Sequence, residues 1–218
     1  ANPSAASYFV GGANQWYQYF DQINIQGYDY VSPSWSICSG NGNDYRVVWH
    51  QGPTYNGGAL CPMGQRLYNL NDLAYTFYQA GIPKAKLGVS ARPNGSVWRG
   101  GAGTSTGGAA LPLQSYTTAP TMWNDMPNYY WYANVGKTTQ QIASWPRVHD
   151  VATGATYLTN DESGSANDFF ISYDDGWACM RKVKLVQDSL YGGVYIWTID
   201  GMEQVGSQYP QADSLRAS

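Results

Sequence analysis

Charge is scarce in this chain. Only 12% of its 218 residues are charged, 12 Lys and Arg against 15 Asp and Glu, for a net charge of −3. Nucleic acid is thereby excluded as an expected partner, because phosphate binding needs a density of basic residues that is missing here. Three cysteines are too few for a disulfide scaffold. Cys38 and Cys61 bracket a Gly- and Asn-rich loop that a disulfide would pin in a secreted protein, whereas Cys179 falls inside a helical pattern as a small hydrophobe. No stretch approaches the roughly 18 apolar residues of a membrane span. The first residues, Ala1-Asn2-Pro3-Ser4, lack the basic and apolar regions of a signal peptide. The expectation is a leader already removed, or an amino end made by another cut. The two histidines, His50 and His149, lack metal-ligand spacing, so neither metal nor cofactor is expected.

Aromatics are what the chain has in excess: 15% of residues, with 19 Tyr and 9 Trp. Together with Asn, Gln, Ser and Gly they suit neutral, hydroxyl-rich ligands, whose pyranose rings stack on aromatic faces while amides serve the hydroxyls. Carbohydrate is the first expectation. Aromatic residues also fill cores, so a low-charge secreted protein with an aromatic core remains the plainer alternative.

The expected order of elements is a helix over 7–20 and a strand over 21–30, in which Ile23 and Ile25 alternate with Asn24 and Gln26. A loop follows over 31–65. A helix over 71–79 should bury Leu73, Phe77 and neighbouring Tyr residues, and Gly81 with Pro83 should end it. A strand over 86–90 precedes an irregular insertion at about 100–167. The most informative stretch, 169–203, reads as a loop, an amphipathic helix marked by Met180, Val183, Leu185 and Val186, a stop at Gly192-Gly193, and a buried strand ending in Trp197. Asp174 and Asp175 are read there as turn and helix-cap residues. Strand, helix, strand, helix, strand is the pattern of parallel βα units.

Several segments, in order, carry a resemblance. They are Ile23-Asn24-Ile25-Gln26-Gly27-Tyr28-Asp29-Tyr30, His50-Gln51 with Tyr55, the run from Gly81 to Val89, Phe170 to Asp175, and Gly192 to Gly201. Together they resemble the sixth to eighth strand units of family 18 glycoside hydrolases, the chitinase family. Even Ala1-Asn2-Pro3-Ser4 resembles the loop after the fifth strand. The resemblance implies an α/β fold, part of a TIM (β/α)8 barrel comprising its last three βα units and completed by another segment or chain. Residues 1–218 would be the carboxyl-terminal part of that barrel, and 218 residues are few for a fold that typically needs about 250.

By the same resemblance, Tyr28 would hold the substrate's acetamido group and Asp29 would help bind and distort the sugar. Gln26 would line the site, Trp197 would stack beneath the sugar, and Trp35 would stack in the loop. Two departures stand out. Ala91-Arg92-Pro93-Asn94-Gly95 replaces the family's usual pattern after the seventh strand, leaving Arg92 as a substrate contact or a structural ion pair. The fourth-strand motif DxxDxDxE, which ends in the catalytic acid, is missing; the chain has only Glu162 and Glu203. The implied function is a secreted chitinase-type hydrolase of β-1,4-linked N-acetylglucosamine working by substrate-assisted retaining hydrolysis. Its acid Glu would come from an upstream portion, expected as a second polypeptide. An endo-β-N-acetylglucosaminidase is a close variant. The rival from another class is a chitinase-like lectin or structural protein, which would keep the aromatic cleft without the acid.

Overall fold

The computed structural model describes residues 6–10, 15–28, 38–40, 43–45, 49–61, 64–93, 95–100, 111–113, 118–122, 144–162, 168–199, 202 and 207–216. Among them, three short strands form a parallel sheet: β1 (Ile23–Ile25), β4 (Leu87–Ala91) and β10 (Gly193–Ile196), in the order β1-β4-β10. Ile25 stands opposite Val89, and Tyr195 opposite Ser90. The expected helix over 7–20 is shorter and broken: helix α1 (Ala6–Val10) is followed by a separate 3-10 turn, Trp16–Tyr19. Within the expected loop, β2 (Cys38–Gly40) and β3 (Asn43–Tyr45) form a hairpin.

Helix α2 (Leu70–Gln79) joins β1 to β4. Asn69 caps it, its side chain accepting from the Asp72 amide at 2.9 Å. Leu70, Leu73, Ala74 and Phe77 form its buried face, as the spacing required. Tyr75 and Tyr78, expected inside, lie exposed on its outer side. Helix α3 (Gly176–Ser189) leads into β10, with Asp175 as its N-cap. Its apolar face departs from the expectation at two positions: Met180 is exposed and Lys182 is fully buried.

The largest difference from the sequence reading is at 100–167. The described residues of that stretch carry strands, and with their flanks they build a five-stranded antiparallel sheet in the order β6-β5-β9-β8-β7. Its members are β5 (Ser96–Gly100), β6 (Thr118–Met122), β7 (Arg147–Asp150), β8 (Ala155–Asn160) and β9 (Asp168–Tyr173). Strand β9 covers residues expected to be a loop of the last barrel unit. The two-residue period explains its packing. Phe170 joins Trp98, Tyr157 and Trp49 in the main core with Ile25, Leu87 and Val89, while Phe169, Ile171 and Tyr173 join Val97 and Leu158 on the opposite face, against Trp145. Helix α4 (Pro210–Arg216) lies against α3. Cys61 is disulfide-bonded, and Cys179 is free and buried.

Candidate active site

Strand alternation divides the parallel sheet into two unlike faces. Ile23, Ile25, Leu87, Val89 and Val194 pack into the main core. The other face is polar and small: Gln22, Asn24 and Gln26 are exposed on and around β1, and a Cβ at Gly88 would collide with the Gln22 and Asn24 side chains. A sheet in this setting has its reactive groups at the carboxyl ends of the strands, where chain leaves the packed layer and side chains are free to differ.

Tyr28, Arg92 and Trp197 follow the three strands at that end. Tyr28 is only 6% exposed. Gly52 allows its segment to lie close by, since a Cβ at Gly52 would sit 3.1 Å from the Gly27 carbonyl oxygen and 3.4 Å from the Tyr28 Cβ. The buried Arg92 guanidinium lies over the Tyr28 ring, 5.1 Å from its centroid. Burial pulls the guanidinium pKa down, against the pull of Tyr28 and Asp174. Trp197 is tied to the same strand end through its amide, which donates to the Ala91 carbonyl at 3.0 Å, and its side chain is 52% exposed. The site therefore has a buried phenol covered by a cation and, next to the strand that carries the cation, an open indole face.

The Arg92 turn is fixed by its backbone. Its amide donates to Asp174 Oδ2 at 2.7 Å, and the Asp174 amide donates back to the Arg92 carbonyl at 3.2 Å. Asp174 also pairs with the fully buried Lys182 ammonium of α3, and Gln211 of α4 donates to the Asp174 carbonyl at 3.3 Å. Burial raises the Asp174 carboxyl pKa, opposed by the charge and hydrogen bond of Lys182. Asp175 accepts from the Ala178 amide at 2.9 Å and from Thr156 Oγ1 at 2.7 Å, and pairs with His149 Nε2 at 3.0 Å. The two aspartates are the turn and cap residues that the sequence reading made them.

The tyrosine hydroxyls of the site are unusual. Those of Tyr28 and Tyr195 are both buried and lie near each other and near Gln26 and Ser90, but among the described residues none of these approaches has the geometry of a completed hydrogen bond. They nevertheless sense each other: burial raises the pKa of both, Tyr195 most strongly, while Tyr195, Arg92 and Gln26 pull that of Tyr28 back down. Ser90 stands between them in register, its Oγ accepting from the Gly27 amide at 2.8 Å. Sequence reading missed Tyr195 and Ser90, although the two-residue period puts position 195 on the same side as 197.

Of the expected site residues, Gln26, Tyr28, Arg92 and Trp197 all lie at this end of the parallel sheet. Asp29 and Trp35 fall outside the described residues, as does the Cys38 side chain. His50 and His149 make structural pairs with Asp150 and Asp175. Among the described residues no cluster of His, Cys, Asp or Glu could hold a metal ion, and no helix is long and apolar enough to cross a membrane. Glu162 is exposed beside the insertion sheet, its amide bonded to Asp168; Glu203 lies outside the described residues.

Parallel βα units with Gln26, Tyr28, Arg92 and Trp197 gathered at the carboxyl ends of the strands fit the class of barrel glycoside hydrolases. Within that class, the model of glycosyl hydrolases family 18 matches residues 3–201, and the chain belongs to that family. No curated protein matches the sequence. Among solved structures it resembles a family 18 N-acetylglucosaminidase from Paenibacillus barengoltzii, with a TM-score of 0.64 and 18% identity over 96% of this chain and 52% of that one. The immunomodulatory active chitinase from Trichuris suis gives a TM-score of 0.68 and 16% identity over 99% and 55%. The group IV chitinase from Ostrinia furnacalis, solved with allosamidin, gives 0.66 and 18% over 92% and 50%. At these identities the likeness is one of fold, and the chain spans about half the length of the solved chains it matches.

Proposed function

We propose that this chain supplies the acetamide-binding and ring-stacking side of a glycosidase that cuts β-1,4-linked N-acetylglucosamine, chitin foremost. The observation that carries this reading is the gathering of Tyr28, Arg92, Gln26 and Trp197 at one end of three parallel strands, with the Tyr28 hydroxyl buried and, among the described residues, without a hydrogen-bond partner. In the proposed reaction, a carboxylic acid outside this chain gives its proton to the glycosidic oxygen as that bond to the anomeric carbon breaks. The substrate's acetamido oxygen forms the new bond to that carbon, with the Tyr28 hydroxyl holding it in line. Water then opens the cyclic intermediate and returns a proton to the carboxylate, so configuration is retained. Asp29 is assigned to distorting the sugar, Trp197 to the floor beneath it, and Trp35 to stacking in the neighbouring loop. Cys38 is proposed as the partner of Cys61, pinning that loop in a secreted protein.

Oriented groups around developing charge supply several kcal/mol in such sites but do not replace a proton donor. The test therefore uses the complete assembly that includes the acid. Trp197→Ala should weaken binding of N-acetylglucosamine oligomers by at least about 1 kcal/mol. Tyr28→Phe should lower turnover far more than binding, because the lost hydroxyl aligns the attacking oxygen. Binding without hydrolysis, with Tyr28→Phe costing only modest affinity, would make the protein the lectin instead. If both variants matched the parent in binding and hydrolysis, the site assignment would be wrong.

A further inference from the structure

Two buried hydroxyls that both lack partners are costly, since each gives up its bonds to water on folding without replacing them. Such groups are uncommon, and one explanation is a ligand that completes the network. Here Tyr28 follows one outer strand of the parallel sheet and Tyr195 lies in the other, and Ser90, from the strand between them, is placed beside both. It stands opposite Tyr195 in register and bonds the Gly27 amide that immediately precedes Tyr28. Asn24 and Gln26 occupy the same polar side of the sheet, so no apolar side chain of β1 covers the pair.

We propose that Tyr195 is a positioning residue for Tyr28: on substrate binding its hydroxyl donates to the Tyr28 oxygen, which leaves the Tyr28 proton directed at the substrate's acetamido oxygen. The proposal rests on the acetamide-binding role of Tyr28 given above. An O–H that accepts a hydrogen bond is a better donor, because each bond in a chain polarises the next. The raised pKa of Tyr195, caused first by burial and then by the neighbouring Tyr28, accords with a phenol that keeps its proton and gives only a hydrogen bond. The covering Arg92 guanidinium, 5.1 Å from the Tyr28 ring centroid, draws the Tyr28 pKa down against the burial that raises it and so favours its hydroxyl as the donor to the acetamido oxygen.

The experiment is a double-mutant cycle on the complete assembly with a chitin tetramer, using Tyr28→Phe, Tyr195→Phe and the pair, each checked by thermal melting. Tyr195→Phe should lower kcat about five- to tenfold, the worth of one hydrogen bond, with KM within about twofold. In the Tyr28→Phe background it should cost nothing more, because the group it serves is gone. A purely structural Tyr195 would lower the melting temperature and give losses that multiply. Parent-like kinetics of Tyr195→Phe, a rise in KM at constant kcat, or multiplying losses would each overturn the proposal while leaving Tyr28 in its role. A parent-like Tyr28→Phe would instead remove the site reading and this proposal with it. Should Tyr195→Phe melt early, Tyr195→Met repeats the cycle, and in an assembly without turnover the same coupling is read in Kd for the oligomer.

Discussion

Burial isolates His50 completely, yet one of its ring nitrogens, Nε2, lies 2.9 Å from Asp150 Oδ2, inside a box of Trp49, Tyr157 and Phe170 rings. Burial by itself would push the Asp150 carboxyl up. The hydrogen bond and charge of His50, joined by the Thr153 hydroxyl and amide, outweigh it and hold the carboxyl down at about 2, below its ordinary 3.8. A carboxyl with a depressed folded pKa stabilises the fold above its unfolded pKa and loses that contribution as pH falls through the folded value. The window here runs from about pH 4 down to about pH 2, and its full size is about 2 kcal/mol. Asp150→Asn should accordingly lower the urea midpoint at pH 5 and leave it near the parent's at pH 2. Equal losses at both pH values would show that the residue contributes shape, not charge. The pair ties the segment after β3 to the end of β7, so its loss loosens the seat of the insertion sheet on the barrel units.

One buried charge pair links four elements of this protein. Asp174 at the end of β9 engages the Arg92 backbone after β4, the Lys182 ammonium of α3 and, through its carbonyl, Gln211 of α4. Removing one partner of a buried pair leaves an uncompensated charge and costs about 3–5 kcal/mol. Lys182→Met should therefore be severely destabilising in urea titrations, and adding Asp174→Asn should recover much of the loss, since no bare charge is then left inside. A milder single variant, or a double variant that is worse, would deny the pair this role. Lys182 also shows why the sequence was only partly legible. The periodicity of α3 correctly placed Val183 and Leu185 inside, but a lysine in a helix reads as a solvent-facing residue until its partner is known, and that partner lies across a turn the pattern does not describe. The parallel strands were legible from local patterning, Ile23 and Ile25 alternating with Asn24, Leu87 and Val89 about Gly88, and Val194 and Ile196 about Tyr195. The insertion sheet was not, because β5 pairs with β9 some 70 positions later, Ser96 opposite Ser172, and pairing at that distance leaves no local trace. One local signal was present: β7 and β8 form a hairpin whose turn ends at Gly154, with φ of 66°. At the site, Tyr28, Gln26 and Trp197 were readable from motif order, whereas the Tyr195 hydroxyl gained meaning only once the register with Ser90 was known.

Among the described residues, the parallel sheet has two edges without a neighbouring strand. Among the described residues β1 and β10 each pair with β4 alone, so one side of each offers open backbone donors and acceptors. Parallel sheets of this kind are covered on both faces, and free edges recruit further strands. Here one face packs into the main core and the other carries Gln22, Asn24 and Gln26 as exposed side chains. Exposed polar side chains and two such edges are what a barrel wall presents to neighbouring strands, and a fourth-strand acid would reside on such a neighbour. Catalytically active material should therefore contain the remaining barrel strands, either in the same polypeptide or in a second one, and the segment forming the fourth strand should end in Glu. Intact mass, a denaturing gel and sequencing of every polypeptide in an active preparation test this together. A 24.0 kDa monomer of this chain that unfolds cooperatively and still hydrolyses chitin oligomers would defeat it, because the edges would then be tolerated and the acid would have to be a carboxyl of these 218 residues. Gln in place of the fourth-strand Glu, with oligomer binding intact, would keep the barrel argument and move the protein to the lectin class.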